Sequence, residues 1–110
     1  MKELLQNAEE FLESAEDNLV KSRFNASVSD FFKAITNLCD YHIYNNQKIV
    51  IKNHNERFDL LKKYYPEIYE KVFSLFKKYR DSYNLRLNKE DALQLKDYAY
   101  ELKTIISSKS

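Results

Sequence analysis

The sequence predicts an all-α protein, an up-and-down bundle of four long helices and one short helix. Three observations carry this. Apolar side chains recur three and four residues apart almost throughout. Glycine is absent and proline occurs once in 110 residues, so little punctuates the helical pattern. Only KIVIK, at 48–52, breaks the spacing, and no second segment offers a strand to pair with it.

In the first helix Leu4, Ala8, Phe11, Leu12, Ala15 and Leu19 share a stripe opposite the acidic side chains. RFNAS, at 23–27, offers Asn25 or Ser27 as the cap of the second helix. That helix's stripe is Val28, Phe31, Phe32, Ile35, Leu38, Cys39 and Ile43. KIVIK then reads as an extended connector whose Ile49 and Ile51 cover a core edge. Asn53 with Glu56 has capping spacing, a short polar side chain taking an orphan N–H with an acid in the first turn. It opens a short third helix with Phe58, Leu61 and Tyr65. Pro66 ends that helix for want of an N–H and suits the first turn of the next. The fourth stripe runs Ile68, Val72, Leu75, Phe76, Tyr79 and Tyr83. Asn88 with Asp91 caps the fifth helix, whose stripe is Ala92, Leu95, Ala99, Leu102 and Ile106, and the terminal SSKS is expected to fray.

At 110 residues and 13.2 kDa, residues 1–110 make one domain, and a chain of this size buries roughly two-thirds of its unfolded surface. Without glycine there is no Gly-rich phosphate loop, dinucleotide fingerprint or common two-residue hairpin turn. The lone Cys39 excludes an internal disulfide and a multi-cysteine metal site, and its apolar face makes it a buried structural thiol. No apolar run approaches the ~18 residues that span a bilayer. Residues 1–20 are acidic, unlike a secretory leader, and a cytoplasmic location is expected. The net charge of +1 is unevenly spread: residues 1–20 hold one basic and six acidic side chains, residues 48–90 eleven basic and six acidic. A weakly basic face can meet an anion and an acidic one a basic partner, or both are simply solvated.

His42 and His54 are the only histidines. They lack the spacing of a zinc helix, and no metal or cofactor is expected. His42 follows Leu38 by four residues and belongs near the apolar face as a semi-buried, hydrogen-bonded side chain. As a phosphoryl acceptor it lacks the Lys and Gly that follow such a histidine, since HIYNNQK has neither at that spacing. No serine has a base and an orienting acid beside it, so no hydrolase set assembles. YRDSYNLR, at 79–86, places two arginines, an aspartate and two tyrosines in a turn and a half of expected helix. Arg80 follows Phe76 by four and precedes Tyr83 by three residues, which puts it beside the buried stripe. There it needs an anion: Asp30 or Asp40 from helix two, a partner's acid, or a phosphate. Lys77, Lys78, Arg86 and Lys89 cluster nearby. Tyr79 and Tyr83 can stack bases or belong to the core.

The run FLESAEDNLVKSRFNASVSDFFKAITNLCDYHIY resembles the first two helices of the HEPN superfamily. KNHNERFDLL resembles its passage into helix three, and YRDSYNLR falls where those proteins carry an Arg–polar pair on the fourth helix. The resemblance covers roughly residues 4–106. It implies a helical bundle that dimerises across the fourth-helix region. Many members are partners of minimal nucleotidyltransferases, and some are metal-independent ribonucleases with a His four to six residues beyond the Arg. Arg80 and Asp81 match the first two motif positions, but residues 82–87 contain no His. The expected function is therefore a non-catalytic module, a homodimer in which Arg80 and Arg86 contact nucleotide or RNA phosphate and Tyr83 offers a stacking face. It can serve as one subunit of a nucleotidyltransferase or toxin–antitoxin type pair. One alternative is a ribonuclease with catalytic candidates Arg80, Asp81 and His54, in which His54 or His42 reaches Arg80 across the dimer. Another is a protein-interaction subunit braced by Arg80 with Asp30 or Asp40.

Overall fold

A computed structural model describes residues 1–109 as five helices: α1 (Lys2–Val20), α2 (Phe24–Gln47), α3 (His54–Tyr64), α4 (Pro66–Asp81) and α5 (Lys89–Lys109). Four are long, at 19, 24, 16 and 21 residues, and α3 has 11. KIVIK is a connector, with Ile49 and Ile51 half-buried against the core and Val50 turned outward. The segment expected to fray continues α5 through residues 107–109; Ser110 lies outside the described residues.

α2 is the central element. Its buried positions include Val28, Phe31, Phe32, Ala34, Ile35 and Ile43, and also Ser27 and His42. They lie too far around the helix for a single stripe, and a helix apolar on several sides is one surrounded by neighbours. α2 accordingly packs on α1, α3, α4 and α5. α1 contributes Ala8, Leu12 and Ala15, α4 Ile68, Val72 and Leu75, and α5 Ala92, Leu95, Tyr98, Ala99, Leu102 and Ile106. Cys39 is buried, as its position predicts, and burial pushes its thiol well above the usual range.

Two expected caps form. Asn53 Oδ1 accepts from the Glu56 N–H at 2.8 Å. Asn88 and Asp91 exchange bonds, each side chain accepting from the other's N–H at 2.9 and 3.0 Å. Pro66 stands in the first turn of α4. The cap expected for α2 does not form, because the helix starts earlier, at Phe24, with Arg23 in the cap position and no side-chain bond there. Ser27 instead donates to the Ala15 carbonyl at 2.9 Å, tying α1 to α2 inside the core.

Asn25 reaches across to the turn after α4. Its amide donates to the Ser82 and Leu85 carbonyls, and its Oδ1 accepts from the Leu87 N–H at 2.9 Å. Those bonds accompany a second correction: α4 stops at Asp81, and 82–85 form a turn. Ser82 N–H still bonds back to Lys78 and Tyr79, but the carbonyls beyond are satisfied by Asn25 rather than by another helical turn. Tyr83 and Arg86 are therefore not on the helix, and Tyr83 does not extend the buried stripe.

The α1–α2 connection closes with backbone bonds from Arg23 to Asn18 and from Ser22 to Leu19, the Schellman arrangement. It places Ser22 at φ 58°, where glycine normally sits. A β-carbon costs roughly 1–2 kcal/mol in that region. Ser22→Gly should therefore stabilise the protein by about 1 kcal/mol, after the larger entropy of glycine in the unfolded chain is counted. Thermal unfolding should show a Tm higher by ~4–8 °C.

Candidate functional site

α3 is short and buries only Arg57 and Leu61. Arg57 sits three residues after His54 and faces α2. Its Nε and Nη2 donate to the two carboxylate oxygens of Asp40 at 2.7 and 2.8 Å. Both side chains are largely enclosed, at 10% and 14% exposure, so this is a desolvated, bidentate pair. The third guanidinium nitrogen, Nη1, lies 2.7 Å from His54 Nδ1. A guanidinium only donates, so His54 Nδ1 accepts and its ring proton is on Nε2. Burial, and next the Arg57 charge, hold the His54 pKa below its ordinary 6.5, against an opposing pull from Asp40.

The His54 ring stands in a nest of aromatics. Phe76 is 5.0 Å away between ring centroids, Tyr79 6.1 Å, Phe58 6.3 Å and Phe32 6.4 Å. Fully buried Phe32 connects this nest to the core, with Tyr79 stacked on it at 4.6 Å. The Tyr79 hydroxyl shares a 2.7 Å bond with that of Tyr83. Burial first, and that bond second, push the Tyr79 pKa up to about 12. Of the two tyrosines, Tyr79 belongs to the core edge and Tyr83 is 65% exposed.

Arg80 does not brace the bundle. Asp40 is held by Arg57, and Asp30 accepts from Ser14 and Asn18 at 2.6 and 3.1 Å. Arg80 is exposed and lies over the Phe76 ring at 5.1 Å, a cation–π placement that leaves its N–H groups at the surface. Among the described residues no carboxylate pairs with Arg80 or Arg86. Their neighbours are engaged: Lys77 with Asp81 at 3.1 Å and Lys78 with Asp91 at 2.7 Å. Asp81 is thus occupied by a lysine on its own helix. The bond from Lys78, together with the Asn88 N–H, holds the Asp91 carboxyl below its usual range.

His54 and Arg80 both lie against Phe76 within one chain. His42 is elsewhere, buried against Tyr65 at 4.5 Å with Asn46 beside its Nδ1. Sequence reasoning selected Asp40 as a partner for an arginine but assigned the wrong one. The available signal was the placement of Arg57, one helical turn after His54 and four residues before Leu61, facing inward. A hollow of about 510 Å³ near the start of α4, lined by Tyr64, Ile68, Lys71, Tyr98 and Ile105 among others, contains none of these groups. Among the described residues no three His, Cys, Asp or Glu side chains gather into a metal-sized group, and no helix is long and apolar enough to cross a membrane. Comparison with protein-family models, curated proteins and solved structures gives no match to this chain.

Removing one partner of an enclosed pair leaves the other charge stranded, at a cost of roughly 3–5 kcal/mol. Arg57→Ala should lower stability by about 3 kcal/mol in urea unfolding, the lower end because Asp40 can relax toward solvent. The His54 shift has a definite sign. A histidine whose native pKa is depressed binds protons more readily unfolded, so its contribution is intact above 6.5 and declines as pH falls toward the native value. Urea titrations at pH 7.5 and 5.0 should show the wild type losing more stability than His54→Asn over that interval.

Proposed function

We propose that this chain is a non-catalytic, HEPN-like binding module, an up-and-down bundle that works as a cytoplasmic homodimer. Arg80 and Arg86 hold nucleotide or RNA phosphate, beside Tyr83 as a stacking face. The dimer acts alone or as one subunit of a nucleotidyltransferase or toxin–antitoxin type pair. The observation that carries this reading is the pair of exposed arginines without acid partners, next to a tyrosine that is 65% exposed. A guanidinium that makes no internal pair keeps its full charge and its fork of donors for phosphate oxygens.

A second reading, a ribonuclease with a displaced histidine, is favoured by one observation: His54 shares the Phe76 ring with Arg80 in the same chain. Its chemistry weighs against it. With Nδ1 turned to Arg57 and the proton on Nε2, His54 presents a donor and no free lone pair, so it is ill-suited as the base that activates a ribose hydroxyl. The interaction-subunit reading loses its Arg80 brace, since Asp30 and Asp40 have other partners.

The purified protein should bind short single-stranded RNA and ATP. Two phosphate contacts predict about a sevenfold loss of RNA affinity between 50 and 200 mM salt. Arg80→Ala/Arg86→Ala should abolish the salt-sensitive part with the RNA left intact. Cleavage in the same tubes that vanishes in His54→Ala would establish the ribonuclease instead. Absence of binding to either ligand would leave a protein-interaction subunit.

A further inference from the structure

We infer that the phosphate site is one end of an aromatic track along α3 and α4 that holds a single-stranded run of several nucleotides, with Phe73 as its central stacking platform. The inference rests on the phosphate-binding reading above and extends it to a ligand class and a length.

The track is built by two facing rows. On α3, His54, Phe58 and Lys62 are spaced four apart; on α4, Tyr69, Phe73, Phe76 and Arg80 are spaced four, three and four. Each spacing keeps a row on one helix face. The rows run in opposite directions, for Lys62 lies over the Tyr69 ring at 5.8 Å while His54 meets Phe76 at 5.0 Å. Between them Phe58 meets Phe73 at 5.5 Å and Phe76 at 5.1 Å in edge-to-face contacts, and Tyr69 stacks on Phe73 at 5.5 Å and 16°. Tyr79 continues the line to Tyr83 at 5.4 Å.

Most of these rings are half-buried, but Phe73 is 52% exposed: Tyr69 stacks on it and Phe58 meets it at right angles, and the rest of the side chain faces solvent. A phenylalanine so placed, among rings that hold it still, is a surface prepared for a flat apolar group. Cations punctuate the same face. Lys62 lies over the Tyr69 ring and Arg80 over the Phe76 ring, while Lys77, one turn from Phe73, is paired with Asp81. The acids Asp59 and Glu70 each step about 100° off their row. A line of rings with positive charges at its flanks suits a strand that presents flat bases along one side and phosphates along the other. A duplex hides its base faces, and a mononucleotide would use one ring and one cation.

The length follows from helix geometry. Tyr69 to Arg80 is eleven residues, about 16 Å of axis, which accommodates about five nucleotides at the ~3.4 Å spacing of a stacked strand.

The test compares oligouridylates of eight and two nucleotides by fluorescence anisotropy. Variants are Phe73→Ala, Phe73→Leu, Phe73→Tyr and Arg80→Ala/Arg86→Ala, with thermal unfolding and sedimentation run on each. The octamer should bind far more tightly than the dimer. Phe73→Ala should weaken octamer binding about tenfold, the usual effect of removing one stacking ring. Phe73→Leu should weaken it similarly and Phe73→Tyr should restore it within about twofold, because the ring face rather than apolar bulk is required. If the arginine pair matters but the octamer binds no better than the dimer and Phe73→Ala changes neither, the track is overturned while the phosphate site stands. If nothing binds, or binding ignores the arginines, both fall. If Phe73→Ala splits an oligomer without touching octamer affinity, this face joins copies of the chain and the track is overturned.

Discussion

The site depends on one interaction, the enclosed pair between Asp40 of α2 and Arg57 of α3. Leu61 is the only other fully buried residue of α3; His54, Phe58 and Leu60 are half-buried, with His54 against Phe32 of α2 and Phe58 against Phe76 of α4. Desolvating two charges offsets much of their attraction, so the pair is better understood as setting position than as adding net stability. A guanidinium is planar and its donors point in fixed directions. Two of them fix the distance and angle of α3 against α2, and the third fixes the orientation of His54. His54, Phe58 and Lys62 follow from that placement. A lysine at 57 could supply the charge but not the three-way register.

The absence of glycine shapes the connections. Where a chain must turn through the left-handed region, Ser22 and Lys48 do so with a β-carbon in place. Elsewhere side chains replace backbone freedom. Asn25 satisfies three main-chain groups of the turn after α4, and Asn53, Asn88 and Asp91 close the starts of α3 and α5. The turn that carries Tyr83 and Arg86 is thus pinned to the first turn of α2, about sixty residues away in sequence. These bonds hold the turn against α2 through contacts that local propensity does not specify.

The charge asymmetry resolves into two different things. Part of the acidic surplus of α1 is used within the molecule: Glu16 and Glu9 meet Lys96 and Lys103 of α5 at 3.1 and 2.7 Å, and Glu16 also accepts from Tyr100. These are partly exposed pairs that contribute little each, but they reduce the face offered to a basic partner. The basic surplus of 48–90 is neutralised less completely. Its lysines at 77 and 78 have acids, and its arginines at 80 and 86 do not. Among the described residues Lys48, Lys52, Lys62, Lys63, Lys71 and Lys89 of this stretch also make no ion pair, so the basic surplus is spread from the connector before α3 to the start of α5.

What the sequence determined by itself was everything governed by local periodicity. The helical class, the five elements, the stripes of α1, α2 and α5, the connector at 48–52, the breaks at Asn53, Pro66 and Asn88, and the burial of Cys39 all follow from spacing, caps and the missing N–H of proline. The errors share one cause. The end of α4, the role of Asn25, the partner of Asp40 and the loss of Arg80's candidate acids are settled by contacts between residues 12 to 62 positions apart, and neighbouring sequence carries no record of them. Helical spacing put Arg80 beside the stripe correctly but could not say that its candidate acids were already taken. It also marked Tyr83 as a continuation of the stripe, because nothing local announced that an asparagine from α2 would take over the carbonyls and end the helix. Periodicity determines which face a residue occupies; only the packing of α2, α3 and α4 decides which charge finds which.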